Sequence, residues 1–258
     1  MFLAEGPQAV KEALGRPGQP GRPGQSRAIR ELFVTAAART RHGGLVAAVA
    51  ATGAPVSEIS GDLMAELAQT VTPQGLLAVC PFIDVPMAEL TSGATRLVVV
   101  LANVRDPGNA GTVLRTADAA GADGVIFAGA SVDPYNSKCV RSSAGSLFHL
   151  PIALGVRAAE AVAALRDAGL AVLAADGSAT LGLDDPDLAG RLARPTGWLF
   201  GNEAWGLPAD LAALADERVA VPIYGRAESL NLAAAAAVCL YASARAQHGG
   251  CRSAPLTR

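Results

Sequence analysis

Residues 97–129 read LVVVLANVRDPGNAGTVLRTADAAGADGVIFAG. Two short apolar runs, LVVVLA (97–102) and GVIFAG (124–129), flank NAGTVLRTADAAG, which fits an amphipathic or buried helix. A β-branched run, a helical stretch and a second such run predict a strand–helix–strand unit with parallel strands. LVVVLA has no polar position on either face, so it reads as a strand buried on both sides. The alternation continues through LAVLAA (170–175), GWLFG (197–201) and RVAVPI (218–223), with RAAEAVAALRDAG and SLNLAAAAAVCLYASARAQ as further helices. The expected fold is α/β, with a parallel sheet covered by helices over residues 96–258.

Upstream the pattern differs. FLAEG reads as a strand and QAVKEAL as a helix, whereas the Gly/Pro alternation of RPGQPGRPGQ (16–25) supports neither helix nor central strand and predicts a loop. RELFVTAAART (30–40) reads as one element, followed by short α/β pieces to Ile83. DVPMAELTSGATR (84–96) is poor in bulky apolar residues and reads as a linker. The chain of 258 residues thus divides into a small α/β domain, 1–88, and a larger one, 96–258.

Composition excludes several classes. With 51% hydrophobic and 17% charged residues the chain is globular. No stretch approaches the roughly 18 uncharged apolar residues of a membrane span, and the start carries no basic segment followed by an apolar run, so a cytoplasmic protein is expected. Cys80, Cys139, Cys239 and Cys251 show no CxxC spacing, and His42, His149 and His248 are scattered, which suggests neither a metal site nor a hydrolytic triad. The first strand runs into NVRDPGNAG rather than GxGxxG, and GxxxxGK[ST] is absent, so dinucleotide and P-loop sites are not indicated. Net charge is −2, yet residues 1–45 hold seven bases (Lys11, Arg16, Arg22, Arg27, Arg30, Arg39, Arg41) against three acids, while 46–95 holds five acids and no base. Phosphate attraction therefore starts in the first 45 residues, with Arg27, Arg30, Arg39 and Arg41 as candidate RNA contacts. Lys138 and Arg141, three apart on a helix, offer a second basic face.

Three segments follow strands, where α/β sheets place ligand sites. In the first, Asn109 reads as an N-cap, Gly108 and Gly111 permit close approach, and Arg115 has room to reach a phosphate. The second, GNEAWGL (201–207), brackets Glu203 between glycines. In the third, VPIYGRAESLNLAAAAAV (221–238), Ser229 reads as an N-cap and Asn231 as a first-turn residue of an Ala-rich helix.

In this order, N-x-G with its downstream Arg, G-N-E-x-x-G and P-x-x-G-x-x-x-S-L-N resemble the three motifs of the SpoU (TrmH) methyltransferases of the SPOUT class. FLAEGPQAVKEAL and VTPQGLLAV (71–79) are similar to the ribosomal-protein-like N-terminal domain that many members carry for RNA recognition. The resemblance implies a deep trefoil knot in the C-terminal domain, a homodimer, and S-adenosylmethionine held by Gly201, Val221, Ile223 and Leu230, largely through backbone groups. It implies 2′-O-methylation of an RNA ribose, with Asn109, Arg115, Glu203, Ser229 and Asn231 as the catalytic set; no Cys/His/carboxylate cluster has ligand spacing, so no metal is expected. A guanidinium stays protonated, so Arg115 suits gripping a phosphate and stabilising developing charge rather than acting as a base. The two-domain layout favours 23S ribosomal RNA over tRNA; a non-catalytic RNA-binding protein that kept the fold is the alternative outside enzymes. Against the family pattern, the chain begins almost inside its first strand, and PGQPGRPGQ looks inserted.

Overall fold

The computed structural model describes residues 1–15, 29–68, 70–92 and 94–249. The 16–25 loop, Arg27 and Cys251 lie outside the described residues.

The first sheet is built from β1 (Phe2–Glu5), β2 (Glu31–Val34), β3 (Val56–Glu58) and β4 (Leu76–Cys80), in the order β1-β4-β2-β3. β4 runs antiparallel to both β1 and β2, and β2 pairs with β3 in parallel. Around it lie α1 (Gly6–Leu14), α2 (Ala36–Arg41), α3 (Gly43–Ala51) and α4 (Gly61–Ala68). RELFVTAAART is therefore two elements rather than one. Thr35 divides them: its hydroxyl accepts the Ala38 N–H at 3.2 Å, capping α2 just after the strand ends.

The stretch read as a linker is packed rather than free. It contains one helical turn, α5 (Met87–Leu90), whose Leu90 is buried, and the Tyr135 hydroxyl accepts the N–H groups of Ile83 and Asp84 while donating to the Asp84 carboxylate at 2.8 Å.

The second sheet has seven parallel strands: β5 (Leu97–Ala102), β6 (Gly124–Ala128), β7 (Ile152–Val156), β8 (Ala171–Ala175), β9 (Leu181–Gly182), β10 (Thr196–Phe200) and β11 (Glu217–Ala220). Their order is β7-β6-β5-β10-β8-β11-β9. All six residues of β5 are buried, as an apolar central strand requires. The helices are α6 (Pro107–Ala119), α7 (Ser137–Ser142), α8 (Ala158–Asp167), α9 (Pro186–Leu192), α10 (Ala209–Ala212) and α11 (Leu232–His248). RVAVPI is strand only to Ala220; Pro222 has no N–H to donate, and residues 221–230 leave the sheet. In the core, Trp198 on β10 donates its indole N–H to the Ser243 hydroxyl of α11 at 2.8 Å, both residues fully buried. Losing that partner costs about 1–3 kcal/mol.

The two sheets share one apolar core. Phe2 of β1 packs on Tyr135 and Phe148, with ring centroids 4.6 and 5.9 Å away. At the rim of this seam the His149 imidazole sits between the carboxylates of Asp118, at 2.7 Å, and Glu12, at 3.0 Å, while Arg141 reaches Glu5 at 3.5 Å. Burial pushes the thiols of Cys80, Cys139 and Cys239 up to about 12, so they behave as apolar filling rather than nucleophiles.

Candidate active site

β5 and β10 lie side by side and parallel, so the segments leaving their carboxyl ends meet. After β5, Asn103 takes a left-handed conformation (φ 57°) and its side chain accepts the Ala130 N–H at 2.9 Å. Asp106 then caps α6 by accepting the Asn109 N–H at 2.7 Å, with Pro107 in the first turn where its missing N–H costs nothing. The cap is thus Asp106, not Asn109. An Asp-Pro pair before a helix is a cap signal legible in sequence. Asn109 is instead free to use its side chain elsewhere.

After β10 the chain folds into a tight hairpin. Asn202 and Gly206 exchange two backbone hydrogen bonds of 2.9 Å. A Cβ on Gly201 would lie 2.3 Å from the Gly206 carbonyl carbon, so only glycine admits this closure. Asn202, buried, donates to the Asn103 carbonyl at 2.8 Å and ties the two loops together. The hairpin presents Glu203 to the other loop, where its carboxylate accepts the N–H of Arg105 (3.2 Å), the N–H of Asp106 (3.1 Å) and the Asn109 amide (3.3 Å). Partial desolvation opposes ionisation, but these N–H donors outweigh it and hold Glu203 below the usual carboxylate range.

The third segment joins through Asn231. Its amide donates to the Asn109 side-chain oxygen at 3.0 Å, and its own oxygen accepts the Ala233 N–H, capping α11. Here too the cap moves: Asn231 holds it, and Ser229 lies two residues before the cap, exposed. The start of α11 is therefore tied, through Asn231 and Asn109, to the loop that Glu203 orders.

Three of the five residues expected to be catalytic, Asn109, Glu203 and Asn231, form one hydrogen-bonded chain. Arg115 and Ser229 do not join it. Arg115 lies exposed two turns further along α6, on one stripe with Thr112 and Ala119, and bonds to none of the described residues. Gly111 accommodates protein rather than ligand, since a Cβ there would lie 2.4 Å from the Cys139 carbonyl oxygen of α7. Of the expected cofactor contacts, Gly201 is buried beneath the hairpin, Val221 is half-buried, and Ile223 and Leu230 are exposed. Among the described residues, 222–230 make no backbone–backbone hydrogen bond. Nine residues thus offer free C=O groups, and all but Pro222 a free N–H, beside exposed apolar side chains. Such a surface suits a flat heteroaromatic ring with a hydrogen-bonding edge.

Arg30 and Arg41 are exposed; Arg39 pairs with Glu58 at 2.9 Å. Lys138 and Arg141 already hold the carboxylates of Asp106 (2.9 Å) and Glu5 (3.5 Å). Among the described residues no group of three or more His, Cys, Asp or Glu side chains is placed to hold a metal ion, and no helix is long and apolar enough to cross a membrane.

Comparison with known proteins adds to this geometry. Residues 96–241 match the model of the SpoU rRNA Methylase family, and residues 3–85 match that for RNA 2′-O ribose methyltransferase substrate binding. The chain is 35% identical over 240 residues to the 23S rRNA (guanosine(2553)-2′-O)-methyltransferase RlmP of Bacillus subtilis, covering 93% of this chain and 87% of the relative. It is 36% identical over 198 residues to the 23S rRNA (uridine(2479)-2′-O)-methyltransferase of Streptomyces viridochromogenes, covering 73% and 67%. Among solved structures, the SpoU methyltransferase AviRb from Streptomyces viridochromogenes in complex with AdoMet superposes with a TM-score of 0.78 at 30% identity, covering 96% of this chain and 91% of that one.

Proposed function

Because the chain belongs to the SpoU rRNA methylase family, whose model spans more than half of it, we propose that it methylates the 2′-hydroxyl of one ribose in 23S ribosomal RNA. It is an S-adenosylmethionine-dependent RNA 2′-O-methyltransferase. The observation that carries the reading is the chain of hydrogen bonds from Glu203 through Asn109 to Asn231, which joins all three motif segments.

S-adenosylmethionine, when bound, supplies an electrophilic methyl group on a sulfonium. The unbonded run 222–230 fits it: Val221, Ile223 and Leu230 would cover its apolar surface and the free backbone groups would take its polar edge, with Gly201 keeping the neighbouring hairpin closed. Glu203 orders the loop after β5 by accepting two of its N–H groups. Asn109 and Asn231 hold the mouth of α11 against it. Arg115, with its guanidinium in solvent, grips an RNA phosphate and stabilises negative charge growing on the 2′-oxygen. Ser229, outside the cap, is free to bond substrate or cofactor.

Residues 1–88 serve RNA recognition, supported by the substrate-binding match and by the exposed Arg30 and Arg41. Arg27 belongs to the same basic segment in sequence; Arg39, Lys138 and Arg141 act only if RNA displaces their present partners. Residues 96–258 form a knotted catalytic unit. Two late strands support that: β10 enters between β5 and β8, and β11 between β8 and β9. Two copies pair through α11, whose outward stripe of Ala234, Val238 and Tyr241 is exposed. The protein works in the cytoplasm, where ribosomal RNA is found.

The test is mapping of ribose methylation in 23S RNA from cells with and without the gene, then restoring the mark in vitro with purified protein and S-adenosylmethionine. One nucleotide losing and regaining its methyl group is expected. An unchanged 23S map with a changed tRNA would redirect the substrate assignment, and no methyl transfer to any RNA would favour a binding protein.

A further inference from the structure

Trp205 sits at the tip of the hairpin after β10 and is 59% exposed, whereas the other tryptophan, Trp198, is fully buried. An indole left in water beside a reaction centre is costly, since covering its apolar surface is worth about 25 cal/mol per Å². The backbone that carries it is also fixed. The Asn202–Gly206 bridge, the Ala204 N–H given to the Asn202 side chain at 2.8 Å and the closure at Gly201 fix the hairpin on which it stands. The guanidinium of Arg105 lies 5.8 Å from its ring centroid. Arg105 is exposed and forms no ion pair among the described residues. Trp205 is two residues from Glu203, and Arg105 gives its backbone N–H to that same carboxylate. The pair is therefore anchored to the catalytic chain from both sides.

A rigid aromatic surface joined to an unpaired cation matches an unpaired nucleotide, which offers a π face and a phosphate. The run suited to the cofactor leaves β11, two strands from β10, and ends at Asn231 beside Asn109, so the pair and the run border one site. We propose that Trp205, backed by Arg105, is the platform on which an unstacked base at or next to the methylated ribose is held, so that the enzyme selects single-stranded over paired RNA at this position. This rests on the reading of the chain as an RNA 2′-O-methyltransferase and names a positioning device within that reaction.

Indole fluorescence of the full chain tests it, because Trp198 is shielded and supplies a constant background. Poly(U) should quench the emission, whereas poly(A)·poly(U) duplex or S-adenosylmethionine alone should not, and W205F should abolish the response. W205A should weaken poly(U) binding and raise KM for 23S RNA roughly tenfold, with kcat and S-adenosylmethionine affinity kept; W205F and W205H should recover most of the loss. R105A should share the KM effect and reduce its salt dependence. Quenching by S-adenosylmethionine alone would assign the indole to the cofactor, and quenching that tracks protein concentration would assign it to a second copy; either overturns the proposal. So does a W205A enzyme with parental KM. Failure of the parental protein to methylate any RNA would instead overturn the functional reading itself.

Discussion

At the scale of single residues, the site separates side chains that shape the loops from those left in solvent. Glu203 is of the first kind and Arg115 of the second. Replacing Arg115 by Ala should lower single-turnover methylation on the order of 10²-fold with calorimetric S-adenosylmethionine binding unchanged; a parental rate would remove Arg115 from the mechanism. Glu203→Gln offers the Arg105 and Asp106 N–H groups one acceptor oxygen in place of two, so it should loosen the loop and reduce both rate and cofactor affinity. The pH dependence follows from the lowered value of Glu203. A carboxylate depressed in the fold contributes above its ordinary value of 4.5 and loses that contribution as pH falls through the depressed value. Parental stability should therefore drop on the acid side as pH falls below 4.5, and the melting temperature of E203Q should lack that limb. The residue types of this site were legible in the sequence because amides and acids beside glycines after apolar runs stand out. Their partners were not. Asn109 and Asn231 exchange a hydrogen bond across 122 positions, and the capping roles were misplaced because Asp106 and Asn231 competed with equally good candidates nearby.

At the scale of elements, strands with uniform apolar runs were readable and those without were not. β5 matches LVVVLA residue for residue, while β7, interrupted by Gly155 at φ 70°, and the two-residue β9 gave no periodic signal. α11 is the element whose outer face has most to reveal. Its Ala-rich inner face packs on α6, α9 and β10, and Asn231, Ala234, Val238, Tyr241 and Arg245 recur every three or four residues on the exposed side. Large apolar side chains at 43% and 46% exposure, Val238 and Tyr241, suit contact with a symmetry-related helix. Val238→Arg should convert a dimer into a monomer by light scattering and cost most of the methylation rate. Its melting temperature should fall and lose the protein-concentration dependence of the parental dimer, because association stabilises the folded state by mass action. A monomeric parental protein, or a fully active V238R monomer, would remove α11 from the interface.

At the scale of the whole molecule, the two sheets are joined by a polar clamp as well as by apolar packing. Desolvation lowers the affinity of His149 for a proton, but the Asp118 and Glu12 carboxylates outweigh it, and the imidazole ends above its ordinary 6.5. A histidine raised in the fold stabilises it fully below the unfolded value, and the contribution is lost as pH climbs through the raised value. The difference in melting temperature between the parental protein and His149→Gln should thus be largest below 6.5 and shrink on the alkaline side; a difference independent of pH would show that the ring acts only by packing. None of this clamp was visible in the sequence, since Glu12 and His149 are separated by 137 positions and only the fold brings them together. The strand order has its own consequence for how the molecule comes into being. Leu97–Ala102 gains its second neighbour only when Thr196–Phe200 arrives, nearly a hundred residues later in synthesis. During translation that open backbone edge invites pairing with other chains, so the protein should assemble slowly, depend on chaperones as it leaves the ribosome, and regain activity poorly after dilution from denaturant.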